Sequence, residues 1–150
     1  MPDSDPVAWL VAHEQIRQLA SRYAVALDAR DLGTLVSLFV DDVRVGNEHG
    51  HDALRANFGA QLRPLGVTIL HVTNHVIDVI GADHATGIVS CRAEIERDGE
   101  RIVQSIQYHD TYERRAGAWL FVRRRHLLFY DGDAKGTLPE SLPTWQAFYA

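Results

Sequence analysis

Asp28 and His71 are the two residues whose types and positions best suit proton transfer. Histidine titrates near neutrality and is the commonest general base. His71 lies in an apolar run, Ile69-Leu70-His71-Val72, where a polar side chain turned inward needs a hydrogen-bond partner. A structural histidine would satisfy that as well as a functional one. Asp28 ends a helical pattern, where the helix dipole disfavours a carboxylate by a few tenths of a kcal/mol or more. Pairing with Arg30 or another surface cation would offset the cost, and so would a histidine. An aspartate on one ring nitrogen would fix the tautomer and leave the other nitrogen free to take a proton from substrate. Tyr23 sits on the apolar face of the same helix, about 140° around a straight helix from Asp28. Spacing alone does not make the two converge, so Tyr23 reads either as a core tyrosine or as a donor to a substrate oxygen.

The other chemistry-bearing residues form weaker patterns. His49 and His51 flank Gly50, but no further histidine or carboxylate stands beside them at ligand spacing, so no metal is expected. His75, His109 and His126 fall in strand patterns. The sequence contains no Gly-rich phosphate loop, no Gly-x-Ser-x-Gly elbow and no His-Glu-x-x-His, so no cofactor is expected. Cys91 is the one cysteine, which excludes an internal disulfide. The net charge is -5, and the one basic cluster, Arg123-Arg124-Arg125, lies in a strand that points alternate side chains to opposite faces. Nucleic-acid binding is therefore not expected. The acidic start at Asp3 and Asp5 and the lack of a long apolar run give the expectation of a cytoplasmic protein without a membrane segment.

The elements that must position these residues follow from periodicity. A chain of 150 residues, 46% hydrophobic and 23% charged, has the size and composition of one folded domain. Leu10, Ile16, Leu19, Ala20, Tyr23 and Leu27 recur at mostly three- and four-residue spacing, which predicts a long helix after Pro6. Asp31 is placed to cap a second helix over residues 32–39, and a third is expected from Asp52 to Leu62 after a short strand at Val43–Val45. From Val67 the period becomes that of strands: 67–80, 85–97, 101–114 and 118–130, with Asp98-Gly99 a strong hairpin signal. Helices first and an antiparallel meander after make an α+β order. Residues 131–150 read as a C-terminal arm, ending in a helical turn at Trp145–Tyr149.

Three blocks together carry a family resemblance. They are Ile16-x-x-Leu19-x-x-x-Tyr23-x-x-x-x-Asp28-x-x-Asp31 with Leu38-Phe39-x-Asp41-Asp42-Val43; Leu70-His71-Val72-Thr73-Asn74-His75-Val76-Ile77; and Tyr108-His109-Asp110-x-Tyr112-x-Arg114 with Gly117-x-Trp119-x-Phe121-x-x-Arg124. The chain resembles the SnoaL-like branch of the nuclear-transport-factor-2-like superfamily, which includes bile-acid dehydratases, scytalone dehydratase, hexachlorocyclohexane dehydrochlorinase, ketosteroid isomerases and polyketide cyclases. The resemblance implies a cone-shaped α+β barrel, with N-terminal helices packed in a strongly curved antiparallel sheet around an apolar pocket. It also implies an Asp-His dyad at Asp28 and His71, Tyr23 as a pocket tyrosine, and Arg124 as a substrate contact, with the register among Arg123, Arg124 and Arg125 open by one residue. His109 lies on a strand that contributes to such pockets and is a further candidate substrate contact, although solvent or a partner subunit could equally claim it. The implied function is a cofactor-independent lyase of dehydratase type, or an isomerase, acting on a small hydrophobic cyclic compound. The alternative is a non-catalytic binding or assembly subunit, like the small subunits of ring-hydroxylating dioxygenases. The broad sheet has a face to cover, so a homodimer or higher homo-oligomer is expected.

Overall fold

The computed structural model describes residues 5–136 and 142–150. Helix α1 (Pro6–Asp28) begins with Pro6 at its first position and Asp5 as N-cap, the Asp5 carboxylate accepting from Val7 N–H. Its buried stripe, Ile16, Leu19, Ala20, Tyr23 and Leu27, keeps the spacing expected from the sequence. Helix α2 (Leu32–Ser37) is capped by Asp31, whose carboxylate accepts from the backbone N–H and the hydroxyl of Thr34. Two-residue strands β1 (Arg44–Val45) and β2 (Glu48–His49) form a hairpin before helix α3 (His51–Leu62).

The remaining strands are long: β3 (Leu65–Val79), β4 (His84–Arg97), β5 (Glu100–Arg115) and β6 (Ala118–Asp131), with a short β7 (Ala134–Lys135). They form an antiparallel meander in the order β3-β4-β5-β6-β7. The turn at Asp98-Gly99 has positive φ at both residues, 55° and 77°, which matches the right-handed twist of the strands it joins. A last helix, α4 (Pro143–Tyr149), covers the expected helical turn. The fold is thus the cone-shaped α+β arrangement: helices laid in the concave face of a curved antiparallel sheet.

Register shifts do the curving. Between Val72 and His75, β3 carries one residue more than β4, and between the partners of Thr111 and Tyr112, β6 carries one more than β5. An extra residue bends a strand and inverts the sense in which its later side chains point. In β3 the inward positions are therefore Thr68, Leu70 and Val72 before the bulge, then His75 and Ile77 after it. In β6 they are Trp119 and Phe121 before the bulge, then Arg124 and His126. The core lies between this concave face and α1, and includes Ile16, Leu35, Val40, Val89, Tyr112 and Phe121.

Candidate functional site

Asp28 holds the end of α1 to an edge strand. Its Oδ1 accepts from the Thr68 hydroxyl and its Oδ2 from the Leu70 backbone N–H, both at 3.0 Å. These bonds offset the unfavourable helix dipole, and the Leu70 N–H belongs to β3, whose outer side has no neighbouring strand among the described residues. Arg30 joins from the same corner by donating to the Thr68 hydroxyl at 2.7 Å and to the Leu27 carbonyl at 2.8 Å. Both oxygens of Asp28 are thus engaged in joining helix to sheet.

His71 is exposed and pairs across to Arg92 on the convex side of the sheet. This corrects the expectation of an inward histidine hydrogen-bonded to Asp28. The inward residues beside Asp28 are Thr68, Leu70 and Val72, and none of them titrates; the histidine misses the concave face by one residue. His109 also faces the convex side, where its Nε2 lies 2.8 Å from Gln107 Oε1. It lines a groove of about 370 Å³ with Arg123 and Arg125, so the expectation of His109 as a pocket contact is corrected as well. His51 is bound to the Phe39 carbonyl at 2.9 Å, a structural role for half of the His49-x-His51 pair.

Tyr23 and Arg124 do meet. They line a cavity of about 600 Å³ between α1, α3 and the sheet, together with Phe39, Phe58, Tyr108 and His126. The bulge turns Arg124 inside, its side chain 4% exposed, while Arg125 and Arg123 are exposed, Arg123 at the rim of the cavity as well as on the outer groove. The Arg124 guanidinium lies 4.3 Å from the Tyr23 ring centre, 3.9 Å from that of Tyr108 and 4.7 Å from that of Phe121. Such stacking suits a planar, weakly hydrated cation.

The charge of Arg124 is answered by Asp110, which β5 places directly opposite. Nε and Nη2 donate to its two oxygens at 3.0 and 3.1 Å, the fork-to-fork geometry of the stronger ion pairs. Burial raises the Asp110 pKa, and the guanidinium and the Tyr112 hydroxyl oppose that rise. Tyr112 donates to Asp110 at 2.8 Å, and His75 Nε2 lies 3.1 Å from the same phenol oxygen. Because the one hydroxyl proton goes to the carboxylate, His75 must supply the proton of the second bond, which fixes its tautomer with hydrogen on Nε2. His75 Nδ1 is left buried without a partner among the described residues.

Burial, with Arg124 next, depresses the His75 pKa to about 4 from an ordinary 6.5. A histidine whose folded pKa lies below its unfolded value contributes stability above the unfolded pKa and loses it as pH falls toward the folded one. The wild type should therefore lose stability between about pH 6.5 and 4 more steeply than His75→Gln does, as urea midpoints of the two proteins across that range would register. Parallel curves would remove His75 from the acid response.

His126 is the titratable base candidate on the cavity. Its ring meets that of Tyr108 edge-on with centres 5.5 Å apart, and burial, followed by Arg124, lowers its pKa below the ordinary histidine value. At neutral pH it is therefore an uncharged imidazole able to accept a proton. Cys91, on the inner face of β4, is pushed up to about 11 by burial and is an inert thiol. Sequence reasoning placed His126 in a strand but gave it no role. The available signal was its two-residue spacing from Arg124, which sets both on one face. Asp110 was likewise visible as a carboxylate alternating with Ile106, Tyr108 and Tyr112 along one strand face, and went unassigned.

Comparison with known proteins agrees with this architecture. The γ-hexachlorocyclohexane dehydrochlorinase of Sphingobium indicum is 28% identical over 123 residues, 77% of this chain and 79% of the relative. A second enzyme from that species, hexachlorocyclohexane dehydrochlorinase 1, is 27% identical over 118 residues, 73% of this chain and 77% of its own. Two solved structures share the fold. A Novosphingobium aromaticivorans protein provisionally named scytalone dehydratase superposes with a TM-score of 0.75 at 24% identity, covering 87% of this chain and 92% of the other. The type 3 dehydrochlorinase of Novosphingobium barchaimii gives 0.75 at 24% identity, over 85% and 92%. The model of the SnoaL-like domain matches residues 9–125, and the chain belongs to the SnoaL-like family.

Proposed function

We propose that this protein is a cofactor-independent lyase of dehydratase type, acting on a small hydrophobic cyclic compound bound between α1, α3 and the sheet. The observation that carries the reading is His126 on the same cavity as Tyr23 and the buried Arg124, with its pKa held below the ordinary histidine value by burial. His126 takes a proton from a ring carbon. The electron pair of that C–H bond becomes the new double bond as the leaving group departs from the adjacent carbon. A hydroxyl leaves as water after taking the proton from the imidazolium; a chloride leaves as the anion. Tyr23 and Arg124 line the cavity in which charge develops, and donors positioned at that charge stabilise it. This assigns the base to His126 and leaves Asp28 to its bonds with Thr68 and Leu70.

The relatives named for hexachlorocyclohexane elimination support the reaction class. The test is turnover of γ-hexachlorocyclohexane, followed by chloride release, alongside cyclic β-hydroxyketones, followed by enone absorbance. Elimination from at least one of them is expected. A second reading, a binding protein without catalysis, is favoured by one observation: His126 has no carboxylate partner among the described residues, whereas enzymatic bases are commonly oriented by one. Saturable binding with no turnover across the panel would establish that reading instead. The outer sheet face, with Val67, Ile69, Val76 and Ile88 exposed, fits assembly into a homodimer or higher homo-oligomer under either reading.

A further inference from the structure

The wall of the cavity changes character between its floor and its mouth. Tyr23, Phe39, Leu54, Phe58 and Tyr108 are buried, whereas Arg44, Asn57, Gln61 and Arg123 are exposed, so the polar side chains gather where the cavity opens to solvent. Two of these four are cations, Arg44 carried by β1 and Arg123 by β6. The extra residue at Val122 bends β6 beside Arg123, and a bulge re-aims the side chains next to it. That is why Arg123 borders both the outer groove and the cavity. Arg44 donates from Nε to the Gly46 carbonyl at 3.0 Å, which holds the side chain on its own hairpin and leaves the two terminal nitrogens for another acceptor.

Neither charge is answered by the protein. Among the described residues no aspartate or glutamate lines the cavity, and the ion pairs include neither Arg44 nor Arg123. Asp41 and Asp42, which precede Arg44, are taken by Arg115, and Arg124 deeper in the wall is neutralised by Asp110. In a chain of net charge -5, two unpaired guanidiniums at one opening are not a by-product of a basic surface. Each presents planar donors that match a carboxylate. Beside them Gln61 Nε2 donates to Asn57 Oδ1 at 2.9 Å, which leaves the Asn57 amide nitrogen as a further donor at the same mouth. A neutral ring in the cavity gains nothing from these groups. A ring that carries a carboxylate buries its apolar body against the floor and keeps the anion at the exposed rim, where the desolvation cost of an ion pair is small.

We infer that Arg44 and Arg123 form an anion-recognising rim, which makes the ligand of this cavity a cyclic carboxylic acid, its ring inside and its carboxylate at the mouth. The inference rests on the cavity assignment made above and deepens it by naming the ligand class and two residues that select it. The test measures binding and requires no turnover. 2-Naphthoate and 2-naphthamide, alike in ring and size and differing in charge, are titrated by calorimetry into the full-length protein, Arg44→Gln, Arg123→Gln, the double variant and Arg125→Gln, with thermal melts confirming that each is folded. The acid is expected to bind the wild type at least about tenfold more tightly than the amide, the increment of a charge-assisted hydrogen bond. That preference should fall several-fold between about 0.1 and 1 M salt, as screening contracts from about 10 to 3 Å. The double variant should lose most of it while its affinity for the amide stays within about twofold, as expected when only rim charges are removed. Arg125→Gln makes the same change of charge on the outer groove alone, and should keep the preference within about twofold. Equal binding of acid and amide to the wild type, no binding of the acid, or an equal loss in Arg125→Gln and the double variant overturns the inference. A preference that depends on Arg44 and Arg123 without elimination from any cyclic hydroxy acid removes the lyase reading and leaves the rim; elimination from neutral substrates with no preference for the acid does the reverse.

Discussion

Asp110→Ala is expected to destabilise the protein by about 3–5 kcal/mol, the usual cost of stranding one member of a buried ion pair. The Arg124 side chain is 4% exposed and that of Asp110 is 0% exposed, so the guanidinium left behind cannot reach water without rearranging Tyr23, Tyr108 and Phe121, which pack against it. Tyr112 loses its acceptor at the same time. For a chain of this size that loss corresponds to roughly 6–20 °C in Tm, readily measured by calorimetry. The double variant Asp110→Leu with Arg124→Met should recover a large part of it, because apolar residues of similar volume often replace a buried pair at little cost. If Asp110→Ala melts within a degree or two of the wild type, the pair is not what holds this side of the cone together.

The second large effect is on turnover. With a substrate from the elimination panel, His126→Ala should lower kcat by about 10²–10⁴-fold, the usual contribution of a positioned general base. His71→Ala should stay within about twofold of the wild type, as expected for a surface substitution remote from the reacting atoms. The contrast is informative because both residues are strand histidines, one on the cavity wall and the other on the convex face. The opposite ranking would return the base to His71 and remove His126 from the mechanism.

The difference between these two histidines marks the limit of what strand periodicity can tell. In a regular strand His71 and His75 share a face, and so do Arg123 and Arg125, because side chains repeat every two residues. The extra residue in β3 between Val72 and His75 puts His75 against Tyr112 and His71 on the outside. The extra residue in β6 turns Arg124 and His126 inward and leaves Arg125 out, with Arg123 at the rim. No glycine or proline marks either bulge: Asn74, a poor strand former, is the one local hint in β3, and Val122 in β6 is an ordinary strand residue by type. Their positions are fixed by how the sheet must bend over α1, which local propensity does not contain.

Asp28 shows the same division from another side. Its placement at the end of α1 was legible from helix period, and the need for something to offset the helix dipole followed from electrostatics. What offsets it is the Leu70 N–H and the Thr68 hydroxyl, contacts between residues 42 and 40 positions apart in the chain. Contacts that distant in sequence exist only once the helix is docked on the sheet edge.

The family resemblance supplied Tyr23 and Arg124 as pocket residues; by itself the sequence determined the helix-then-meander order, the cap at Asp31 and the Asp98-Gly99 turn. Each of these is set within a few residues, by hydrogen bonds and side-chain period that act locally. The tertiary structure alone decided which histidine faces the cavity, that Asp110 neutralises Arg124, and that Asp28 is tied to the sheet edge. Those outcomes depend on strand bulges and cross-strand partners, whose energies are settled only when the curved sheet closes around α1.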